Sequence, residues 1–86
     1  MTERIHDNVG ARRFELHVGG DIVFANYRRD PASIVILHVE APVPLRGTGA
    51  AGRLMEGVVA LAAAEGRDVV PLCSYASAWI RRHRPG

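Results

Sequence analysis

The sequence predicts an α/β fold: an antiparallel three-strand meander, a crossover helix, a parallel fourth strand and a C-terminal helix. Three observations carry this prediction. Apolar residues alternate in the first half, a Gly-rich segment separates the last alternating run from a helical pattern, and a short apolar run follows that helix. A chain of 86 residues suits one domain, so we assign 1–86 to a single unit in which 1–10 form a loosely held lead-in.

The first two strands are predicted as a hairpin. From Ala11 to Val18, apolar and polar residues alternate with period two, which is typical of a half-buried strand. Gly19-Gly20 can adopt the positive φ angles of a tight turn, so we expect Asp21 to Arg28 to return antiparallel.

The third strand, Ser33 to Ala41, is apolar on both faces, a pattern typical of a central strand covered on both sides. By simple alternation, His38 and Glu40 share the face of Ile34 and Ile36. Two ionisable groups at the end of a buried strand indicate either a functional site or emergence of the strand into solvent.

The second half is predicted to be helix, strand and helix. A helical apolar pattern runs from Thr48 to Gly66, where a glycine can end the helix in a left-handed conformation. Asp68 to Leu72 is then a short buried strand, and Tyr75 to His83 a final helix that Ser74 could cap.

Composition excludes several classes of protein. The longest apolar run is too short to span a bilayer, and the single cysteine cannot form an internal disulfide, which favours the cytoplasm. A net charge of +2 and five aromatic residues speak against nucleic-acid binding, and no His, Cys, Asp or Glu spacing predicts a metal site. The long helix carries few charges, so a second copy could cover it as a homodimer.

The most informative segment is Leu45 to Gly52, Leu-Arg-Gly-Thr-Gly-Ala-Ala-Gly, between a strand and a helix. Small residues at a helix start expose unpaired N–H groups and so can cradle a phosphate. No Lys-Ser/Thr pair follows, and the last glycine of the dinucleotide pattern is missing. The alternative is a small-residue helix start that packs tightly against the sheet.

Arg46-x-x-Gly49-x-Ala51 resembles the loop with which the GNAT superfamily of N-acetyltransferases grips the pyrophosphate of acetyl-coenzyme A. The likeness extends over nearly the whole chain to a branch of minimal GNAT-like domains. In that branch a His- and Glu-bearing strand precedes the loop, and Pro-x-Cys-x-Tyr and a terminal His follow the helix. The corresponding residues are His38-Val39-Glu40, Pro71-Leu72-Cys73-Ser74-Tyr75 and Arg82-His83-Arg84-Pro85.

The resemblance implies an acetyl-coenzyme A site and transfer of the acetyl group to an amine. It implies that the pyrophosphate is held by backbone N–H groups of seven residues: Arg46, Gly47, Thr48, Gly49, Ala50, Ala51 and Gly52. It also implies that Ala41 and Val43 line the pantetheine arm, with Cys73, Ser74 and Tyr75 on the far wall of a slot for the thioester.

Two mechanisms remain open at this point. Either Cys73 accepts the acetyl group with His38 as its base, or Glu40 deprotonates an amine that attacks directly while Tyr75 protonates the departing thiolate. Without the resemblance, Cys73 would be interpreted as an inert core residue. The N-terminal helices of longer GNAT enzymes have no counterpart here, so a non-catalytic coenzyme-A-binding module, such as a sensor or partner subunit, is the alternative function.

Overall fold

The computed structural model describes residues 5–83, which form one five-stranded sheet and two helices. The elements, in chain order, are β1 (His6–Asn8), β2 (Arg13–Val18), β3 (Asp21–Arg29), β4 (Ser33–Glu40), a 3-10 turn (Val43–Leu45), α1 (Ala50–Ala64), β5 (Asp68–Pro71) and α2 (Ser74–His83). The strands lie in the order β1-β2-β3-β4-β5, antiparallel except for the parallel pair β4–β5. This confirms the predicted α/β class with its crossover helix.

The core lies on one face of the sheet, between the strands and both helices. It is a continuous cluster of side chains that are at most 8% exposed: Phe14, Leu16, Val23, Ala25, Tyr27, Ile34, Ile36, Leu45, Ala50, Leu54, Met55, Val58, Ala62, Ala76 and Trp79. Because residues from α1 and α2 belong to the same cluster, both helices cover the same face. Within residues 5–83, no element covers the other face, which we call the open face.

The predicted lead-in contains a strand that the sequence did not indicate. His6–Asn8 pairs antiparallel with β2, and Asp7 Oδ1 accepts a hydrogen bond of 2.5 Å from the Tyr27 hydroxyl of β3. A three-residue strand is too short to show a period, so alternation could not reveal it. Residues 1–4 lie outside the described part of the chain.

A β-bulge in β4 reverses the expected placement of His38 and Glu40. Tyr27 pairs with Ile36 and Asn26 pairs with His38, so Leu37 is an extra residue without an opposite partner. Ile34 and Ile36 point into the core before the bulge, whereas Val39 and Ala41 pack against it afterwards. The expectation that His38 and Glu40 share the Ile34 face is therefore wrong, because alternation fails at one inserted residue.

The remaining local expectations mostly hold. β4 is internal to the sheet, as predicted, but the helices cover only one of its faces. Gly66 has the left-handed φ of 69° after α1, and Gly19 has a φ of 62° in the hairpin turn. The outward side of α1 exposes Val59, and the homodimer that this helix suggested stays a prediction.

Candidate functional site

A slot opens where β4 and β5 part. Their last register pair is Ile36 with Pro71, and the N–H of Leu72 donates to the Ile36 carbonyl at 2.9 Å. β4 continues to Glu40 with β3 as its neighbour, while the segment after β5 turns away into α2. Beyond Ile36, the edge of β4 that faces the slot therefore has no strand partner within the described chain.

A cleft of about 390 Å³ lies at this slot on the helix side of the sheet. Its lining consists of Val39, Ala41, Leu45, Arg46, Gly47, Gly49, Ala50, Ala51, Gly52 and Tyr75. Eight of these ten residues were candidates from sequence. Val39 and Leu45 were not candidates. The alternating pattern does not reveal the bulge that turns Val39 to the cleft, and an apolar residue such as Leu45 in the loop is typical of core packing.

The loop before α1 offers unpaired donors to the cleft. Gly47 and Gly49 adopt positive φ angles of 77° and 83°, which bend the chain into the start of the helix. Within residues 5–83, the backbone N–H groups of Gly47, Gly49, Ala51 and Gly52 have no acceptor. Together with the positive end of the α1 dipole, they make this loop a site for an anion.

The other N–H groups of the loop are used internally. Those of Arg46 and Thr48 donate to the carbonyls of Val43 and Leu45, at 3.2 and 3.3 Å. The N–H of Ala50 donates to Thr48 Oγ1 at 3.3 Å, and the Arg46 side chain donates from Nε to the Ala41 carbonyl at 3.0 Å. Of the seven N–H groups implied for pyrophosphate, four are thus available.

The Thr48 hydroxyl holds the loop in shape, which gives a first testable prediction. It donates to the Leu45 carbonyl at 2.6 Å while accepting from Ala50. We expect Thr48→Val to lower the free energy of unfolding by about 1 kcal/mol, since it removes both bonds, whereas Thr48→Ser keeps them. Urea unfolding of the three proteins measures this, and equal stability of the Val and Ser variants would contradict it.

Gly52 brings α1 close to α2 at the rim of the cleft. A Cβ at this position would lie 3.4 Å from Trp79 Nε1 and 3.9 Å from the Tyr75 hydroxyl oxygen. The glycine thus leaves room beside the Tyr75 hydroxyl. Burial raises the pKa of Tyr75 above its ordinary value of 10.0, despite the opposing charge of Arg82, so the phenol keeps its proton at neutral pH.

Cys73 lies at the start of α2, outside the lining of the cleft. Its carbonyl accepts from the Ser77 N–H at 3.0 Å, and its Sγ accepts from the Ala76 N–H at 3.3 Å. Cys73 therefore caps the helix, a place that the sequence assigned to Ser74, which is exposed. Within the described chain, its sulfur has no hydrogen bond to His38.

His38 and Glu40 lie on the open face, across the slot edge from the cleft. The Nε2 of His38 and Oε1 of Glu40 are 3.1 Å apart and share a hydrogen bond, with both side chains just over half exposed. Val43, at the start of the 3-10 turn, is 71% exposed and does not line the cleft.

Nowhere in 5–83 do three His, Cys, Asp or Glu side chains gather in a metal-binding arrangement. No helix in this part of the chain combines the length and apolar character needed to cross a membrane.

The comparison with known families identifies the domain. A family model described as GCN5-related N-acetyl-transferase matches residues 13–85, nearly the entire chain. Among curated proteins, no match is found. The match spans the parted strands, the Gly-rich loop and both helices. The chain therefore belongs to the GCN5-related N-acetyltransferase family.

Proposed function

We propose that the chain binds acetyl-coenzyme A and transfers its acetyl group to an amine. The observation that carries this proposal is the set of four unpaired N–H groups at Gly47, Gly49, Ala51 and Gly52. Each of these residues lines the cleft, and the loop sits at the start of a 15-residue helix. Four available N–H donors beside a helix N-terminus suit the two negative charges of a pyrophosphate.

The slot between the parted strands suits the pantetheine arm. From His38 to Glu40, β4 is paired on one side only, so its backbone can hydrogen-bond to the amides of an extended ligand. Val39 and Ala41 line the cleft beside this edge and offer apolar contact. When bound there, acetyl-coenzyme A supplies an acetyl group activated by its bond to sulfur.

The proposed reaction needs two proton transfers, one from the amine on the open face and one to the departing sulfur in the cleft. The amine nitrogen attacks the thioester carbon, so that the C–N bond forms and the C–S bond breaks. Glu40, with His38 bonded to it, takes the proton that the amine loses on the open face. Tyr75 lines the cleft and remains protonated, so it donates a proton to the departing thiolate sulfur.

Direct transfer suits the described geometry better than a route through Cys73. The Cys73 sulfur is engaged by the Ala76 N–H, and the proposed base His38 is engaged by Glu40. A non-catalytic coenzyme-A-binding module keeps the same cleft but consumes no thioester. The free thiol of Cys73 suits a reducing compartment such as the cytoplasm.

Calorimetric titration with acetyl-coenzyme A tests the proposal, followed by intact mass after incubation with and without an amine. We expect saturable binding, acetylated amine, and no added acetyl mass on the protein. An acetyl adduct that disappears in Cys73→Ser would instead establish the covalent route. Binding without consumption of the thioester would establish the non-catalytic module, and no binding at millimolar ligand would overturn the proposal.

A further inference from the structure

The open face carries an apolar patch directly beside the His38–Glu40 pair. Leu37, Val70 and Leu72 are 42%, 39% and 63% exposed, and together we call them the aliphatic ledge. Val70 pairs in register with Val35, which is buried although no helix covers this face. The N–H of Leu72 bonds to Ile36, the residue before Leu37, so the ledge spans the slot from β4 to the end of β5.

The bulge joins this ledge to the ionisable pair. Leu37 and His38 are consecutive and both exposed, whereas their neighbours Ile36 and Val39 pack on the core side. An uninterrupted strand would place Leu37 and His38 on opposite faces. Here the apolar ledge and the Glu40 carboxylate therefore adjoin each other at the same opening of the slot.

The fixed charges of the open face favour a cationic ligand. Within the described strands, the arginines that project to this face are Arg13 and Arg28, and each has an acidic partner: Glu15 at 2.6 Å and Asp30 at 3.3 Å, respectively. Glu40 lies at one end of the ledge and is hydrogen-bonded to His38, and exposed Asp68 lies at the other end, two residues before Val70 in β5. An ammonium group is therefore attracted to this surface.

Resting on the proposed transferase function, we infer that the acceptor is a small primary amine whose nitrogen is attached to an apolar group. The amine nitrogen lies at Glu40 and the apolar group lies on the aliphatic ledge. The surface of three partly exposed side chains can cover an apolar group of about phenyl size. It is far smaller than the area of about 800 Å² that each partner buries in a stable protein interface. The ledge thus acts as a specificity surface and Glu40 attracts the ammonium form; this form releases one proton to solvent to become the nucleophilic amine, and Glu40 takes the second proton as the C–N bond forms.

The test measures binding of three probes to the full isotope-labelled chain by two-dimensional NMR, without requiring turnover. Phenethylamine is both apolar and cationic, ethanolamine keeps the amine alone, and 3-phenylpropionate keeps the ring alone. We expect phenethylamine to bind at least about 10-fold more tightly than either control, because only it uses both the ledge and the carboxylate. The shifted signals should belong to residues 37–40 and 70–72.

Two variants separate specific binding from general effects. Leu72→Asn should weaken phenethylamine binding about fivefold and leave ethanolamine unchanged, since it removes part of the ledge. Val59→Asn changes a residue on the outward side of α1, 37% exposed, and should affect neither probe. Both positions are exposed, so folding should survive, which the same spectra verify.

Several outcomes would overturn the inference. These are equal binding of phenethylamine and ethanolamine, shifts that map away from the ledge, or no binding at millimolar concentration. Concentration-dependent shifts of residues 37–40 and 70–72 without any probe would show that a second copy covers the ledge, and would also overturn it. Failure to bind acetyl-coenzyme A in calorimetry is a separate result, which overturns the transferase proposal instead.

Discussion

Gly47→Glu should weaken binding of acetyl-coenzyme A by at least about 100-fold. Gly47 lines the cleft with an unpaired N–H, and no atom lies within 4 Å of the position that its Cβ would take. A carboxylate there would face the pyrophosphate. Two unit charges about 5 Å apart at an effective dielectric of about 20 repel by about 3 kcal/mol, which is at least about a 100-fold loss of affinity.

The chain provides a matched control at Gly66. This glycine also has a positive φ, 69° against 77° at Gly47, and its Cβ would also meet nothing within 4 Å, but it follows the far end of α1. Gly66→Glu should therefore carry the same backbone cost, about 1 kcal/mol, without the loss of binding. Calorimetric titration of both variants measures the difference, and equal affinities would show that the loop does not hold the pyrophosphate.

Glu15→Gln should remove much of the pH dependence of stability in acid. Glu15 is 4% exposed, and hydrogen bonds from Asn8 and Arg13 lower its pKa from 4.5 to about 2, with a further contribution from His17. The carboxylate therefore stabilises the fold at neutral pH. A shift of this size corresponds to a contribution of about 3 kcal/mol.

The sign of the effect follows from the depressed pKa. The stabilisation is present above the unfolded value of 4.5 and is lost as pH falls towards about 2. Urea unfolding between pH 5 and pH 2 should show a steeper loss for the native sequence than for Glu15→Gln. Glu56→Gln, at an exposed position on α1, should follow the native curve, and parallel slopes for all three would contradict the prediction.

Regular patterns made most of the fold predictable from sequence. Three strands, the crossover helix and the final helix each extend far enough for a period to appear, and glycine at positions 19 and 66 marks turns that need positive φ. β1 was missed because three residues show no period. The burial of Glu15 was missed as well, since its partners Asn8 and Arg13 come together only when β1 pairs with β2.

The candidate site was predictable where it depends on backbone and unpredictable where it depends on side-chain direction. Small residues at a helix start indicate a phosphate cradle whatever the exact packing, and most of this loop lines the cleft. The faces of His38 and Val39 depend on one unpaired residue, Leu37. The position of Cys73 at the start of α2 also required the structure, since either Cys73 or Ser74 could cap that helix.

The bulge at Leu37 shifts the alternation of side chains along β4, and the end of the strand lies between the cleft and the open face. Before the bulge, even-numbered Ile34 and Ile36 face the core; beyond it, odd-numbered Val39 borders the cleft while even-numbered His38 and Glu40 lie on the open face. The bulge adds the side chain of Leu37 to the open face beside His38 and leaves Val39 on the cleft side of the strand. Deletion of Leu37 would therefore keep the pairing of Asn26 with His38 and the faces of His38, Val39 and Glu40, whereas pairing Leu37 regularly with β3 would turn Val39 to the open face and His38 and Glu40 to the cleft side.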